Sequence, residues 1–551
     1  MNNKSNGSGI SILNNLKMIN KHYTKLIVFI ISCITMTVLF QLLTPNDPIS
    51  PDLSLFQTQQ LQNNKFIASN PKSIRVITDF SVLKCNLYRK CNIPKSYIQL
   101  FPNLNYYHNS KIKNDYYLIV RYQSLDEATK IITDISTTKV DDSYEEIKID
   151  NQLTLYKKIV ISNTQQPIAS DLPILRSIDV LFGNNDLIDS RPYHSTLHLS
   201  NKDTIHTILS MNMMSLEQQA KLQETSKYLN NVKNSQLIDT SNPRYKVMQL
   251  SDLHFGQDLG RCETVIADKD KDNVDDEKCT SDLKTLKFIE DSINREKPDL
   301  IVITGDLIDI HRSIDFKSIL LKSLQPILAN NINFIYTFGD EIQDTETKLS
   351  VISFLSTLPN CLNTLPQDNS LHGVTNYNFQ IKNDKQSASI TVLDSEGHLL
   401  DDSQINFLYR INKEMSNDYK LLFFHYPIPQ FRPKGKFKII GSYNEKHRLD
   451  DKTNVKFHDD IINCGYNVIG VGHEHENDAC LISESKDNSI WLCYNSITGD
   501  SGITRLDNNY VRKLRIFEID FADKRILSWK RREVDKSTFD YQLIYTKPNK
   551  T

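Results

Sequence analysis

The chain has no excess of basic charge. Its 65 Lys and Arg face 67 Asp and Glu, a formal charge of −2 over 551 residues, and no Lys/Arg stripe interleaved with aromatics occurs. Nucleic acid is therefore not an expected partner. No C-x-x-C occurs either, which argues against a cysteine-rich zinc module. Between residues 44 and 548 there is no N-x-Ser/Thr acceptor despite abundant Asn, so glycosylation gives no support for exposure to a secretory lumen. No small-x-small cleavage pattern closely follows the apolar run near the N-terminus, which argues against a removed leader.

What is present points to several parts, since domains of about 100–200 residues are usual. Residues 26–43, "LIVFIISCITMTVLFQLL", carry no charge and are about long enough to cross a bilayer core. Lys17, Lys21 and Lys25 precede the run with no acid among them, and Pro45 and Asp47 follow. This predicts a transmembrane anchor with residues 1–25 as a cytosolic tail and the bulk lumenal or extracellular: a single-pass type II membrane protein of the endomembrane or secretory pathway. Besides Cys33 in the run, three cysteine pairs lie close in sequence: Cys85 with Cys91, Cys262 with Cys279, and Cys480 with Cys493. Each pair could close a short loop, which suits an oxidising compartment; Cys361 and Cys464 have no assignment.

Residues 44–71 are polar and contain Pro, Gln and Asn, as a linker does. Residues 72–240 read as a β-rich accessory domain, with runs such as "IRVITDF" and "YYLIVRY", one helix near 124–135 and no catalytic cluster. "DVLFGNNDLIDSRPYH" (179–194) reads there as a turn and a loop. From Tyr245 strands and helices alternate: helices are expected at 281–294, with Leu286, Ile289 and Ile293 on one face, and at 315–329. The runs "KVMQL", "DLIVI", "NFIYTF", "LLFF" and "NVIGV" each stop at a polar, metal-capable residue, where open α/β sheets place their sites. "YVRKLRIFEIDFADKRILSWKR" reads as two antiparallel strands that close a second sheet.

Singly, the polar residues at these strand ends have ordinary explanations: Asp252 and His254 as a capped turn, Asp306 as an N-cap, His425 as a core histidine, His473 and His475 as a surface pair. Together they are two carboxylates and four imidazoles at adjacent strand ends, the mixed O/N set that holds two divalent ions; Mn, Fe or Zn suit it comparably. The acidic "DKDKDNVDDEK" (268–278) begins like a calcium loop. Asn273 and Cys279 stand where that loop needs Gly and an acid, so it reads as a solvated loop. His447 and His458 read as surface residues.

"SDLHFG", "TGDLID", "FFHYPIP" and "GVGHEH" resemble successive motifs of the calcineurin-like metallophosphoesterases over about residues 245–540. The likeness is closer to the purple-acid-phosphatase-like and fungal dose-dependent cell-cycle-regulator phosphatases. It rests there on the spacing of Cys262 and Cys279, on "VLDSEG" with "SQINFL", and on "HENDACL…WLCYN". The resemblance implies a four-layer αββα sandwich and a phosphorylated substrate, phosphoproteins included. It also implies that Asp252, His254 and His475 hold one metal, that Asp306 bridges both, that His425 and His473 hold the second, and that Cys262–Cys279 and Cys480–Cys493 are bonded.

One stretch departs from that pattern. "FIYTFGDEIQD" (334–344) carries Asp340 and Glu341 where the family has Asn, a metal ligand, and His, which contacts the phosphate. Asp340 still offers an oxygen to a metal. An ionised Glu341 donates no proton and adds negative charge. Two divalent ions, Asp252, Asp306 and a bridging hydroxide sum to about +1, and Asp340 with Glu341 takes the sum to about −1. A Glu341 kept protonated by its acidic neighbours would instead be the acid. The expectation is a membrane-anchored two-metal phosphatase with altered activity; the alternative is a metal-binding pseudophosphatase acting as a regulatory module.

Overall fold

The computed structural model describes residues 74–548 except 86–91, 105–114, 150–152, 162–167, 200–204, 263–279, 385, 436, 446–448, 450–452, 454–455, 486–487 and 503–510. The apolar run 26–43, the linker, the acidic loop 268–278, His447, Cys91 and Cys279 lie outside the described residues. Among the described residues no helix is long and apolar enough to cross a membrane.

Residues 75–214 form three three-stranded antiparallel sheets built on one plan. The first strands are Arg75–Cys85, Lys130–Ser136 and Ile174–Gly183; in each sheet the third strand of the unit lies between the first and the second. Each first strand carries a register shift at the same point, between Ile77 and Asp79, Ile132 and Asp134, and Leu175 and Ser177. The sequence repeats accordingly: "VITDFS" (76–81) and "IITDIS" (131–136). Equivalent positions share one environment. Ile77, Ile132 and Leu175 lie in one core with Phe80, Ile135 and Ile178, while Val76, Ile131 and Ile174 meet in a second cluster. The segment 124–135, expected as a helix, is therefore largely a strand, because the β-branched run "IIT" packs its alternate residues between sheets.

The three units differ in their polar detail. In the first two, a tyrosine hydroxyl donates to the repeat's aspartate (Tyr97 to Asp79, Tyr144 to Asp134), and a cation paired opposite that aspartate lies over the tyrosine ring, Arg121 at 5.6 Å and Lys158 at 5.7 Å. In the third unit Ser177 and Asn212 take the paired positions. That unit docks on the C-terminal part of the chain. Phe182 N–H donates to Ser318 Oγ at 2.9 Å, Phe182 O accepts from the Gln257 amide, and Asp179, within the stretch read as turn and loop, pairs with Arg191 (2.8 Å) and Lys317 (3.4 Å).

A twenty-residue helix, Leu216–Ser235, follows, opened by a reciprocal Ser215/Gln218 cap. From residue 237 two sheets stack. A six-stranded sheet contains Arg244–Leu250, Leu300–Thr304 and Asn333–Thr337 in parallel; an eight-stranded sheet contains Gln386–Val392, Tyr419–Phe423 and Val468–Val471 in parallel. Strand alternation sorts their apolar residues into three cores. Val247, Val302, Ile335, Ile390, Leu421 and Val468 fill the space between the sheets. Met248, Ile303 and Tyr336 face the helices Ser281–Glu296, Phe316–Ser323 and Thr345–Leu355. Leu422, Ile469 and Val471 face Asp402–Glu414 and Phe457–Asn463. Helices, sheet, sheet and helices thus form four layers.

Two sequence expectations change here. The helix at 315–329 is two helices, Phe316–Ser323 and Gln325–Ala329, because Pro326 can only open a helix and has no N–H to continue one. The strands Lys513–Asp520 and Arg525–Arg532 do not close the second sheet: Lys513–Asp520 pairs antiparallel with Arg244–Leu250 and so extends the first. Cys480 and Cys493 are opposite one another on paired strands and are bonded. Cys85 and Cys262 each take part in a disulfide as well, and Cys361 and Cys464 are free and buried.

Candidate metal centre

Strand register brings the sequence-predicted residues together. Leu250 pairs with Ile303 and Thr304 with Thr337, so the turns carrying Asp252, Asp306 and Asp340 emerge side by side from one sheet. In the other sheet Phe423 pairs with Gly470, which aligns the turns carrying His425 and His473. Asp306 O accepts from both the Leu253 and His254 amides (2.8 and 2.9 Å), and His425 O accepts from the Gly472 amide at 3.0 Å. Four of the residues, Asp252, His254, Asp306 and His473, hold left-handed backbone with φ between 45° and 68°. Asp and His tolerate this region better than most, but such conformations persist only where surroundings enforce them, and they gather at functional sites.

Two glycines make the closeness possible. A Cβ on Gly305, itself at φ +87°, would collide with the His425 ring, and one on Gly339 would land on the Asp306 carboxylate.

Seven side chains form three overlapping groups whose candidate ligand atoms lie within 4.8 Å of one another: Asp252, His254 and His475; Asp340, His425 and His473; and Asp252, Asp306 and His425 between them. Their contacts fit a cation better than they fit one another. The two Nε2 atoms of His254 and His475 face each other at 3.3 Å. Asp252 is fully buried, and among the described residues its Oδ1 has no hydrogen-bond partner, with His475 Nε2 3.6 Å away. One oxygen of Asp340 receives both His425 Nε2 (2.9 Å) and His473 Nδ1 (3.1 Å). Because Thr304 O can only accept, His425 Nδ1 must donate to it at 2.9 Å, which turns Nε2, the atom that would ligate, towards Asp340 and Asp306.

Electrostatics agree. Burial opposes ionisation of Asp252, but the close His475 imidazole, then His425 and His254, outweigh it and hold the carboxyl pKa at about 2. Against the same penalty, His425 and His473 keep the Asp340 carboxyl far below the usual range. Burial and then His475 push His254 towards its neutral, ligating form.

Glu341 stands differently. Its amide donates to Asp306 Oδ1 at 3.1 Å, while its carboxylate lies 3.7 Å from His254 Nδ1. Burial, then the carboxylates of Asp306 and Asp309, raise its pKa to about 7.

Supporting residues were not evident in the sequence. Ser251 Oγ donates to Asp252 Oδ2 (2.5 Å), Arg312 Nη2 donates to His254 O (2.7 Å), and Arg432 pairs with the fully buried Glu474 between the two histidines of "GHEH". Gln257 joins this shell to the third N-terminal unit, since its Oε1 also accepts from the Ile314 and Asp315 amides at 3.0 Å. His458, expected at the surface, is buried, with Nε2 2.9 Å from Ser483 Oγ.

Comparison with known proteins agrees with this geometry. Residues 245–477 match the family described as calcineurin-like phosphoesterase. Protein SIA1 of Kluyveromyces lactis is 32% identical over 377 residues, 66% of this chain and 62% of that protein. Phosphatase DCR2 of Saccharomyces cerevisiae is 32% identical over 56% of this chain and 57% of its own length. Probable inactive purple acid phosphatase 14 of Arabidopsis thaliana is 28% identical over 57% of this chain and 86% of its own. The chain thus spans about six-tenths of the length of the first two relatives. Over residues 245–477 the chain is a member of the calcineurin-like phosphoesterase family.

Proposed function

We propose that the chain is a metal-dependent phosphoester hydrolase that acts on phosphomonoesters, phosphoproteins among them, through a site for two divalent ions. The observation that carries this reading is the pair of triads, Asp252/His254/His475 and Asp340/His425/His473, meeting around Asp306. Asp252, His254 and His475 would hold one ion and Asp340, His425 and His473 the other, with Asp306 placed between the two triads to serve both; Mn, Fe or Zn would suit this donor set. When bound, the ions supply Lewis-acid polarisation of the phosphoryl group and a nucleophile at neutral pH. The chain's own residues set the geometry: Thr304 O fixes the His425 tautomer, Ser251 orients Asp252, and Arg312 holds the His254 backbone.

The pseudophosphatase reading is favoured by one observation, the acidic pair Asp340 and Glu341 in the third turn. Hydrolysis of p-nitrophenyl phosphate by the Mn²⁺-loaded chain separates the two. Turnover abolished by chelation supports the enzyme; full metal loading without turnover supports the regulatory module. We also propose, from the Lys-flanked run 26–43, that residues 44–551 are non-cytosolic. A C-terminal tag should resist protease in sealed microsomes, and its digestion without detergent would overturn that assignment.

A further inference from the structure

The turn that carries Asp340 and Glu341 contains no histidine, but a different loop, which carries His398, packs against it through Gly397. His398 lies between the strand Gln386–Val392 and the helix Asp402–Glu414. The residue before it, Gly397, sits against the third turn: a Cβ built there would be 3.7 Å from the Asp340 Cβ. The half-buried His398 ring meets Tyr426 edge-on at 5.8 Å, and Tyr426 packs against His473 with ring centroids 4.4 Å apart. His398 is therefore one aromatic ring removed from a candidate ligand and one residue from the backbone that faces another.

The loop is firmly built. Asp394, fully buried, accepts from the Val374 and Glu396 amides (2.9 and 3.0 Å) and pairs with the equally buried Lys348 at 3.3 Å. Lys348 also reaches Glu396 at 3.1 Å. Ser395 Oγ accepts from the Tyr426 amide at 3.1 Å, next to His425. Glu396 and Gly397 are successive left-handed residues, with φ 44° and 75°, as in a tight turn that favours glycine at its second position. Lys348 belongs to the helix Thr345–Leu355, and its ammonium lies 5.2 Å from the ring of Phe338, just before the Asp340–Glu341 turn.

We propose that His398 is the phosphoester-facing imidazole of this site, donating a ring N–H hydrogen bond to an oxygen of a phosphomonoester held beside Asp340 and His473. The inference rests on the phosphatase reading. It gives the site a neutral or cationic donor on the side that Asp340 and Glu341 have made more negative. The bland alternative is that His398 only packs on Tyr426, and substitution separates the two. His398→Phe keeps an aromatic edge against Tyr426 and removes every donor, whereas His398→Gln returns an N–H.

The test uses the full Mn²⁺-loaded chain, with metal content measured for each variant, and reads KM and kcat for p-nitrophenyl phosphate and the affinity for inorganic phosphate. Hydrogen bonds to charged groups are the strong ones, so His398→Phe should weaken phosphate binding and raise KM at least tenfold at unchanged metal content, with His398→Gln recovering part of the loss. Values within twofold of wild type for both variants would overturn the proposal while leaving the phosphatase reading intact. If the wild type shows no turnover, the phosphatase reading fails and phosphate binding alone decides. Weaker binding in His398→Phe still supports the contact. Unchanged binding, or no phosphate binding by a metal-loaded wild type, rejects it. Should His398→Phe not fold, His398→Gln against His398→Leu gives the same comparison of donor and no donor.

Discussion

Replacing Glu341 by Gln keeps the shape of the third turn and removes one negative charge from it. The backbone amide that donates to Asp306 is untouched, and the side chain stays beside His254. Two unit charges ~7 Å apart at an effective dielectric of about 20 interact by ~2 kcal/mol, so Glu341 opposes a bound phosphate by an amount of that order before cations screen it. A residual effect of about 1.4 kcal/mol is tenfold, and Glu341→Gln should tighten inorganic phosphate binding by about that factor. Calorimetric titration of metal-loaded protein reads it directly. The metal-free protein offers a second reading. There the folded state keeps the Glu341 proton up to about pH 7, while the unfolded chain releases it near 4.5. The contribution of Glu341 to stability is thus complete below 4.5 and is lost as pH rises to 7. Chemical denaturation should show Glu341→Gln gaining on wild type across that window. Phosphate affinity within twofold of wild type, at equal metal content, would refute the idea that this charge faces the anion.

The double change Asp340→Asn plus Glu341→His should raise phosphatase activity on a small ester at least tenfold, and Asp340→Asn alone should do less, because it relieves charge without supplying a donor; steady-state rates at matched metal content decide this. Gly339→Ala should strip the site of metal, because its methyl group would occupy the space of the Asp306 carboxylate; elemental analysis showing a full metal complement in a folded variant would contradict that packing.

The phosphoesterase half of the fold was legible because its signal is local. Five apolar strands each end at a residue type that ligates metals, and parallel register then fixes their adjacency. Asp252, His254, Asp306, Asp340, His425, His473 and His475 are all brought together on that basis. What the strand pattern leaves open is which neighbours fix each ligand. Arg312 and Arg432 look like any surface arginine until the loops are placed, and His398 follows a glycine in an ordinary turn. In the N-terminal part, the repeated "VITDFS" and "IITDIS" did carry the threefold plan, but the third copy has diverged to "ILRSID" (174–179), in the unit that docks through Phe182 on Ser318 and Gln257. Two matching hexapeptides do not by themselves show a third. The apparent helix at 124–135 failed for a related reason, since burial between sheets overrides helical spacing in so short a segment.

The central claim is that one site holds two ions bridged by Asp306. Elemental analysis of the purified full chain after saturation with Mn²⁺ and removal of excess metal counts them. The account predicts two ions per chain, with Asp306→Ala folded but losing the pair. One ion or none in the wild type, or two retained after Asp306→Ala, would contradict it.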